Sequence, residues 1–168
     1  AAGAWFDSVV AEMPDRLPAL EALVRIREAQ GRIAEASELL ERVVGRKKES
    51  LEELVKLGDL RMALGETELA ILAFEPAREI AGSDFPRFLE LGVLYLANRQ
   101  FAAARDGLDR VPPSHPGYAM ALFKRAQVSV LLDEPDREQR IRLAYRRADA
   151  TTRRLIENES LFRGVALR

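Results

Sequence analysis

Leu20, Leu54, Phe88 and Leu122 stand at equal intervals, each 34 residues after the last. Other positions keep the same frame: Leu23, Leu57 and Leu91; Val24, Gly58, Gly92 and Ala126; Ala36, Ala70 and Ala104. Repetition at this period restricts the chain to stacked copies of one small supersecondary element, because no single copy can bury its own apolar face. Such a chain forms a solenoid, not a globule around one cleft.

The second repeat shows the plan best. Ser50 followed by Glu53 reads as a capping box opening a first helix, A. Leu54, Leu57, Gly58, Arg61 and Leu64 then mark one helical face, and Gly65 supplies the left-handed residue that ends it. Thr67 is placed to cap a second helix, B, with Ala70, Phe74 and Ala77 inward and a stop near Gly82. Pro76 inside helix B predicts a kink or early distortion. The first repeat has Pro18 near its start, Gly31 at the turn, and Ala36, Leu40 and Val43 on helix B. The third has Pro86, Tyr95 on helix A, and Ala104, Leu108 and Val111 on helix B. Gly58, Gly92 and Ala70 are small enough to let two helices approach closely.

These residues resemble the tetratricopeptide repeat, whose 34-residue signature is W-x2-L-G-x2-Y, A-x3-F and a closing proline. Phe88, Leu91-Gly92, Tyr95, Ala104, Leu108 and Pro116 follow it in the third repeat, and Leu54, Leu57-Gly58, Ala70 and Phe74 in the second. Arg27 and Arg61 replace the tyrosine, and Arg99 replaces the turn glycine, where Asn98 is expected to take the left-handed conformation instead. The resemblance implies an all-α, right-handed superhelical solenoid of tetratricopeptide-like helical hairpins within one domain, 1–168. Its repeats are expected at 17–50, 51–84 and 85–118, with an atypical fourth at 119–154.

The same frame reaches outward. Residues 1–16, with Ala2, Phe6, Val9 and Pro14, read either as a half repeat of a longer protein or as an N-terminal cap helix, with Trp5 in a core or interface. The fourth repeat fits with roughly three residues inserted near Asp133–Asp136, which moves its inward positions to Ile141, Tyr145 and Ala148. Residues 155–168, with Leu155, Ile156, Leu161 and Phe162, read as a C-terminal cap.

Composition narrows the function. The absence of cysteine removes disulfides, thiolate metal sites and cysteine nucleophiles. A net charge of -1 with 32% charged residues describes a mixed-sign solvated surface. No stretch reaches the roughly 18 apolar residues of a membrane span, so membrane insertion is not expected. The one histidine, His115, sits in the proline-dense segment Val111-Pro-Pro-Ser-His-Pro-Gly117, where it reads as a turn residue. No catalytic, cofactor or metal motif is present, so no enzyme activity and no cofactor are expected in this segment. Abundant arginine and alanine suit a GC-rich bacterial genome, and hence bacterial cytoplasm or periplasm.

Binding is the better prospect. The resemblance places the A helices along a concave groove, whose lining is then Arg25, Val55, Asp59, Met62, Leu89, Val93, Leu96, Phe123, Gln127 and Val130, with Glu21, Glu28 and Glu52 beside them. Chaperone-binding members grip a terminal carboxylate with lysines and asparagines; Glu21, Arg25, Val55 and Asp59 at the matching places do not carry that activity over. The apolar part suits a helix or hydrophobic peptide, or else lies buried in cis beneath Leu155, Ile156, Leu161 and Phe162. Arg140, Arg147 and Arg154 would share one face if their helix continued, but interspersed Asp136, Glu138 and Asp149 argue against nucleic acid. The expected function is a non-catalytic scaffold that binds a protein partner's peptide or helix. The alternatives are a regulatory or substrate-recognition segment of a larger enzyme, and a nucleic-acid-binding repeat.

Overall fold

The computed structural model describes residues 2–14, 16–47 and 50–167, and among these it shows ten α-helices, two 3-10 turns and no strand. They fall into two compact halves, Ala1–Phe85 and Pro86–Arg168. The N-terminal half contains α1 (Ala2–Glu12), α2 (Leu17–Ala29), α3 (Ile33–Arg46), α4 (Leu51–Ala63) and α5 (Thr67–Ala81). The C-terminal half contains α6 (Phe88–Ala97), α7 (Phe101–Leu108), α8 (Tyr118–Leu131), α9 (Arg137–Arg147) and α10 (Ala150–Asn158), followed by a 3-10 turn at Ser160–Phe162. The all-α expectation of tandem A/B hairpins is met by α2/α3, α4/α5, α6/α7 and α8/α9.

Each A helix ends in the same way. The amides of Arg32, Glu66, Gln100 and Glu134 reach back to the carbonyls of Arg27, Arg61, Tyr95 and Ser129 at 2.8–3.0 Å, the six-to-one bond of a Schellman motif. The residue just before each of these amides is left-handed: Gly31, Gly65, Arg99 and Asp133, with φ of 71°, 75°, 59° and 52°. Asn98, expected to absorb the turn, stays at φ −84°, and Arg99 takes the glycine's own position. Hairpin packing on both sides dictates the turn, so a non-glycine residue accepts strain worth about 1–2 kcal/mol.

Helix starts depart from the sequence reading. Ser50 is the N-cap of α4 but its hydroxyl caps no amide, and the Glu53 carboxylate instead meets Lys47 Nζ at 2.6 Å. The capping box is therefore not formed, since a charge-assisted bond replaces it. Thr67 is the first residue of α5 rather than its cap, with Glu66 before it making no side-chain cap. α5 runs through Pro76 to Ala81, held by the buried Ala73, Phe74 and Ala77, and closes on Gly82 at φ 57°.

In the N-terminal half, Leu20, Val24, Leu40, Val43, Leu57 and Leu60 form the core, with Val10 of α1 packed against it. A Cβ added at Gly58 would lie 2.3 Å from the Phe74 ring, so the glycine is what lets α4 and α5 touch. Its counterpart in the C-terminal half is Gly92, whose added Cβ would lie 2.7 Å from Leu108 Cγ. Trp5, assigned by its position to a core or interface, is 61% exposed and touches the edge of Phe6 at 4.8 Å between ring centres. The side chain of Ala2 lies outside the described residues.

An ion-pair series runs in phase with the repeat. Buried Arg27 donates to Asp7 of α1 at 2.6 Å, and buried Arg61 donates to Glu41 of α3 at 2.8 Å. Asp7 and Glu41 are 34 residues apart, as are their arginines. The arginines that replace the signature tyrosine thus tie each A helix to the helix before it. α1 meets α2 as α3 meets α4.

The fourth hairpin is altered differently from the sequence expectation. Its turn keeps phase at Asp133, but α9 starts at Arg137, late by comparison with Ile33, Thr67 and Phe101. Ile141 and Ala148 are buried as expected, whereas Tyr145 is only half-buried and Ala144 takes the inward place. Tyr145 instead donates its hydroxyl to Glu157 at 2.9 Å. The chain then breaks: Ala148 and Asp149 are extended, and Asp149 caps α10 by accepting from the Thr152 amide at 2.7 Å. The seven-residue arginine face therefore does not form, because Arg140 and Arg147 lie on α9 and Arg154 lies on α10. α10 itself crosses the expected 154/155 boundary.

Candidate partner-binding faces

In the N-terminal half, the A helices are α2 and α4. Arg25 is exposed on α2; Val55 and Asp59 are half-buried on α4, and Met62 is exposed one turn on. Beside them α2, α3 and α4 enclose a pocket of 260 Å³. Its floor is apolar, from Val24, Leu40 and Val43, and its rim is charged, with Glu21, Arg25, Lys47, Glu52, Glu53 and Lys56.

The rim is internally paired. Lys47 Nζ lies 2.9 Å from Glu21 and 2.6 Å from Glu53, and Lys56 Nζ lies 2.6 Å from Glu28. Hydrogen bonding to Glu53 first, and to Glu21 next, raises the Lys47 pKa and keeps it cationic. The same lysine lowers the Glu53 pKa. Glu21 and Glu28, which the resemblance places at the groove, are thus paired with lysines of the chain itself.

In the C-terminal half, Leu89, Val93 and Leu96 are half-buried along α6. Leu89 packs against the connection to α8: an added Cβ at Gly117 would lie 2.4 Å from its Cδ2. That connection is shaped by His115, whose Nδ1 accepts from the Gly117 amide at 3.0 Å and whose carbonyl accepts from Tyr118 at 3.0 Å. His115 is a turn residue.

Phe123, Gln127 and Val130 of α8 are in phase with Leu89, Val93 and Leu96, but the chain's own C-terminal segment lies on them. Phe123 is 4% exposed, with the Phe162 ring edge-on at 6.0 Å. Ile156 and Phe162 join Phe123, Ala126, Ile141, Ala144 and Ala148 in one core, with Val130, Val165 and Leu167 against it. Gln127 donates to Glu159. Of the two dispositions open for this stripe, α8 takes the covered one. Ile156 and Phe162 do the covering, while Leu155 and Leu161 face outward.

The charge that sequence spacing missed is a buried, structural one. Arg125 of α8 is 4% exposed and bridges Asp109 at 2.9 Å and Glu134 at 2.7 Å. It stands in phase with Leu23, Leu57 and Leu91, so the fourth repeat exchanges a core leucine for an ion-pair hub. Asp109 continues the acidic series Asp7, Glu41 and Glu75, a 34-residue signal present in the sequence. The arginines of α9 pair with Asp133 (Arg137), Asp136 (Arg140) and Glu138 (Arg142) at 2.6–2.9 Å, and Arg140 also joins the Arg125 hub, 3.5 Å from Glu134 and 3.7 Å from Asp109. Among the described residues no cluster of three metal-ligating side chains occurs, and no helix is long and apolar enough to cross a membrane.

No family model matches the sequence, and no curated protein matches it. Solved structures do. YrrB, described as a TPR protein with an unusual peptide-binding site, is 16% identical with a TM-score of 0.76, covering 94% of this chain and 82% of its own. MamA is 19% identical with a TM-score of 0.67, covering 86% and 85%. The nearly identical TPR-like repeats of a putative Podosopora anserina kinesin light chain are 24% identical with a TM-score of 0.57, covering 91% and 87%. At these identities the likeness is one of fold.

Proposed function

We propose, from the tetratricopeptide-repeat fold of this chain, that the protein is a non-catalytic interaction scaffold whose A-helix faces hold a segment of a partner protein. The observation that carries this reading is the pocket between α2, α3 and α4, whose apolar floor and charged rim suit an anchored peptide side chain with polar neighbours. On α6, Leu89, Val93 and Leu96 recur at helical spacing and add a strip fit for an apolar segment. The peptide-binding site described for YrrB supports the same use of the fold.

Binding by this route rests on shape and apolar contact for affinity, while rim charges set register and on-rate. Peptides are to be selected from a displayed random library on the wild-type chain and retested on two variants, Arg25→Glu/Lys56→Glu and Val93→Glu/Leu96→Glu. At least one variant, with its helical circular dichroism intact, should lose the selected peptides. Undiminished binding by both would remove the A-helix faces as the site.

A further inference from the structure

Resting on that reading, we infer that the A-helix face of α8 is itself a peptide-binding site, held in cis by residues 156–167, and that it accepts a partner segment with an aromatic anchor and an acidic residue three positions before it.

The covering segment is held as a bound peptide is held. After α10 it has one 3-10 turn, and the amides of Phe162, Arg163 and Val165 bond within the segment itself. Its grip on the rest of the half comes from separate anchors. Phe162 enters edge-on against Phe123, and Val165 and Leu167 pack on the same cluster. Glu159 accepts from Gln127, and Arg142 Nε donates to the Ala166 carbonyl at 3.1 Å. Gly164, at φ 88°, turns the chain between the Phe162 and Val165 anchors. The recognition pattern is acidic at 159, aromatic at 162 and β-branched at 165.

The fit is incomplete in one place. Gln127 donates through Nε2, but its buried Oε1 has no partner. A buried acceptor without a donor carries a desolvation penalty, so a segment that brings an N–H to this point seats better than the chain's own. The covered trio Phe123, Gln127 and Val130 repeats the places of Leu89, Val93 and Leu96 on α6. The C-terminal segment therefore shows how a peptide lies on such a face.

A tethered segment competes at a local concentration in the millimolar range, which is why the intact chain should refuse a free copy. The test uses the full chain and a fluorescent peptide of residues 156–167. Full-length Phe162→Ala, whose tail has lost its anchor, should bind the peptide about tenfold tighter than the intact chain, and Glu159→Ala should give a smaller gain in the same direction. A peptide carrying the Phe162→Ala change should bind neither.

Two results overturn the inference. One is a Phe162→Ala chain with unchanged helical signal that binds the peptide no better than the intact protein. The other is a Phe162→Ala chain that loses the helices α8 and α9, which would make Phe162 ordinary core. If library-selected peptides still depend on Arg25 and Lys56 or on Val93 and Leu96 in either case, only this inference falls and the scaffold reading stands.

Discussion

Replacing Gly58 with alanine isolates the contact that lets one hairpin close. The added Cβ would lie 2.3, 2.4 and 2.7 Å from three atoms of the Phe74 ring, and Phe74 has no solvent-accessible surface into which to move. Carbon atoms pack best at about 3.5–4.0 Å, so ring and helix must part by more than an ångström. Overpacking of this kind costs about 1–3 kcal/mol, with three short contacts arguing for the upper end. Removing a helical glycine returns about 1 kcal/mol of propensity. The net loss is then about 2 kcal/mol, or a fall of about 4–8 °C in Tm for a chain of this size. Gly45 on α3 provides the control, because an added Cβ there meets nothing within 4 Å. Gly45→Ala should hold or raise Tm, through propensity alone. Calorimetry and denaturant titration measure both, and Phe74→Leu in the Gly58→Ala background should recover about 1 kcal/mol as coupling. A Gly58→Ala chain at least as stable as wild type, or strict additivity in the double variant, would refute the steric account.

The ion-pair hub and the last helix make further demands. Arg125→Ala leaves Asp109 and the mostly buried Glu134 with only the longer contacts of Arg140, at 3.7 and 3.5 Å, and should cost about 2–4 kcal/mol in denaturant titration, while Arg125→Leu, which restores the residue of the other repeats, should cost clearly less. Equal losses would show that the charge, not the space, governs the site. Asp149 has its pKa lowered chiefly by the hydrogen bond from the Thr152 amide. A lowered carboxylate stabilises above its ordinary value of about 3.9, and that contribution is lost as pH falls through the lower folded value. The Thr152 amide shift should therefore titrate with a midpoint below 3.9, and a midpoint at or above it would count against the cap.

Much of the fold was legible because its determinants are local. The 34-residue frame of apolar and small residues defines the A and B helices, and Gly31 and Gly65 mark their turns directly. Arg99 was not readable as a turn residue, since nothing in an arginine side chain favours a left-handed backbone, whereas Asp133 is of a type that tolerates one and keeps the 34-residue phase of Gly31 and Gly65. The surrounding helices impose it. Ser50 and Glu53 satisfy the capping pattern, yet Lys47, nearby in space, takes the carboxylate. Trp5 reads by its place in the frame as a core or interface residue, and the packing of α1 leaves it out of the core.

For the candidate site the division is sharper. The period places Arg25, Val55, Met62, Leu89, Val93 and Leu96 on the A helices, where residues three and four apart share a face, and the resemblance to the tetratricopeptide repeat marks that face as a groove lining. Whether a face is open depends on where distant chain returns, and no local spacing encodes that. The apolar pattern at Leu155, Ile156, Leu161 and Phe162 announced a covering segment without saying which two of the four would turn inward. Tertiary structure chose Ile156 and Phe162, seated one on Phe123, and left Gln127 half-satisfied. Sequence by itself determined the repeat and its faces; the return of the tail decided which of those faces is already occupied, because burial of an aromatic pair depends on spatial meeting rather than on period.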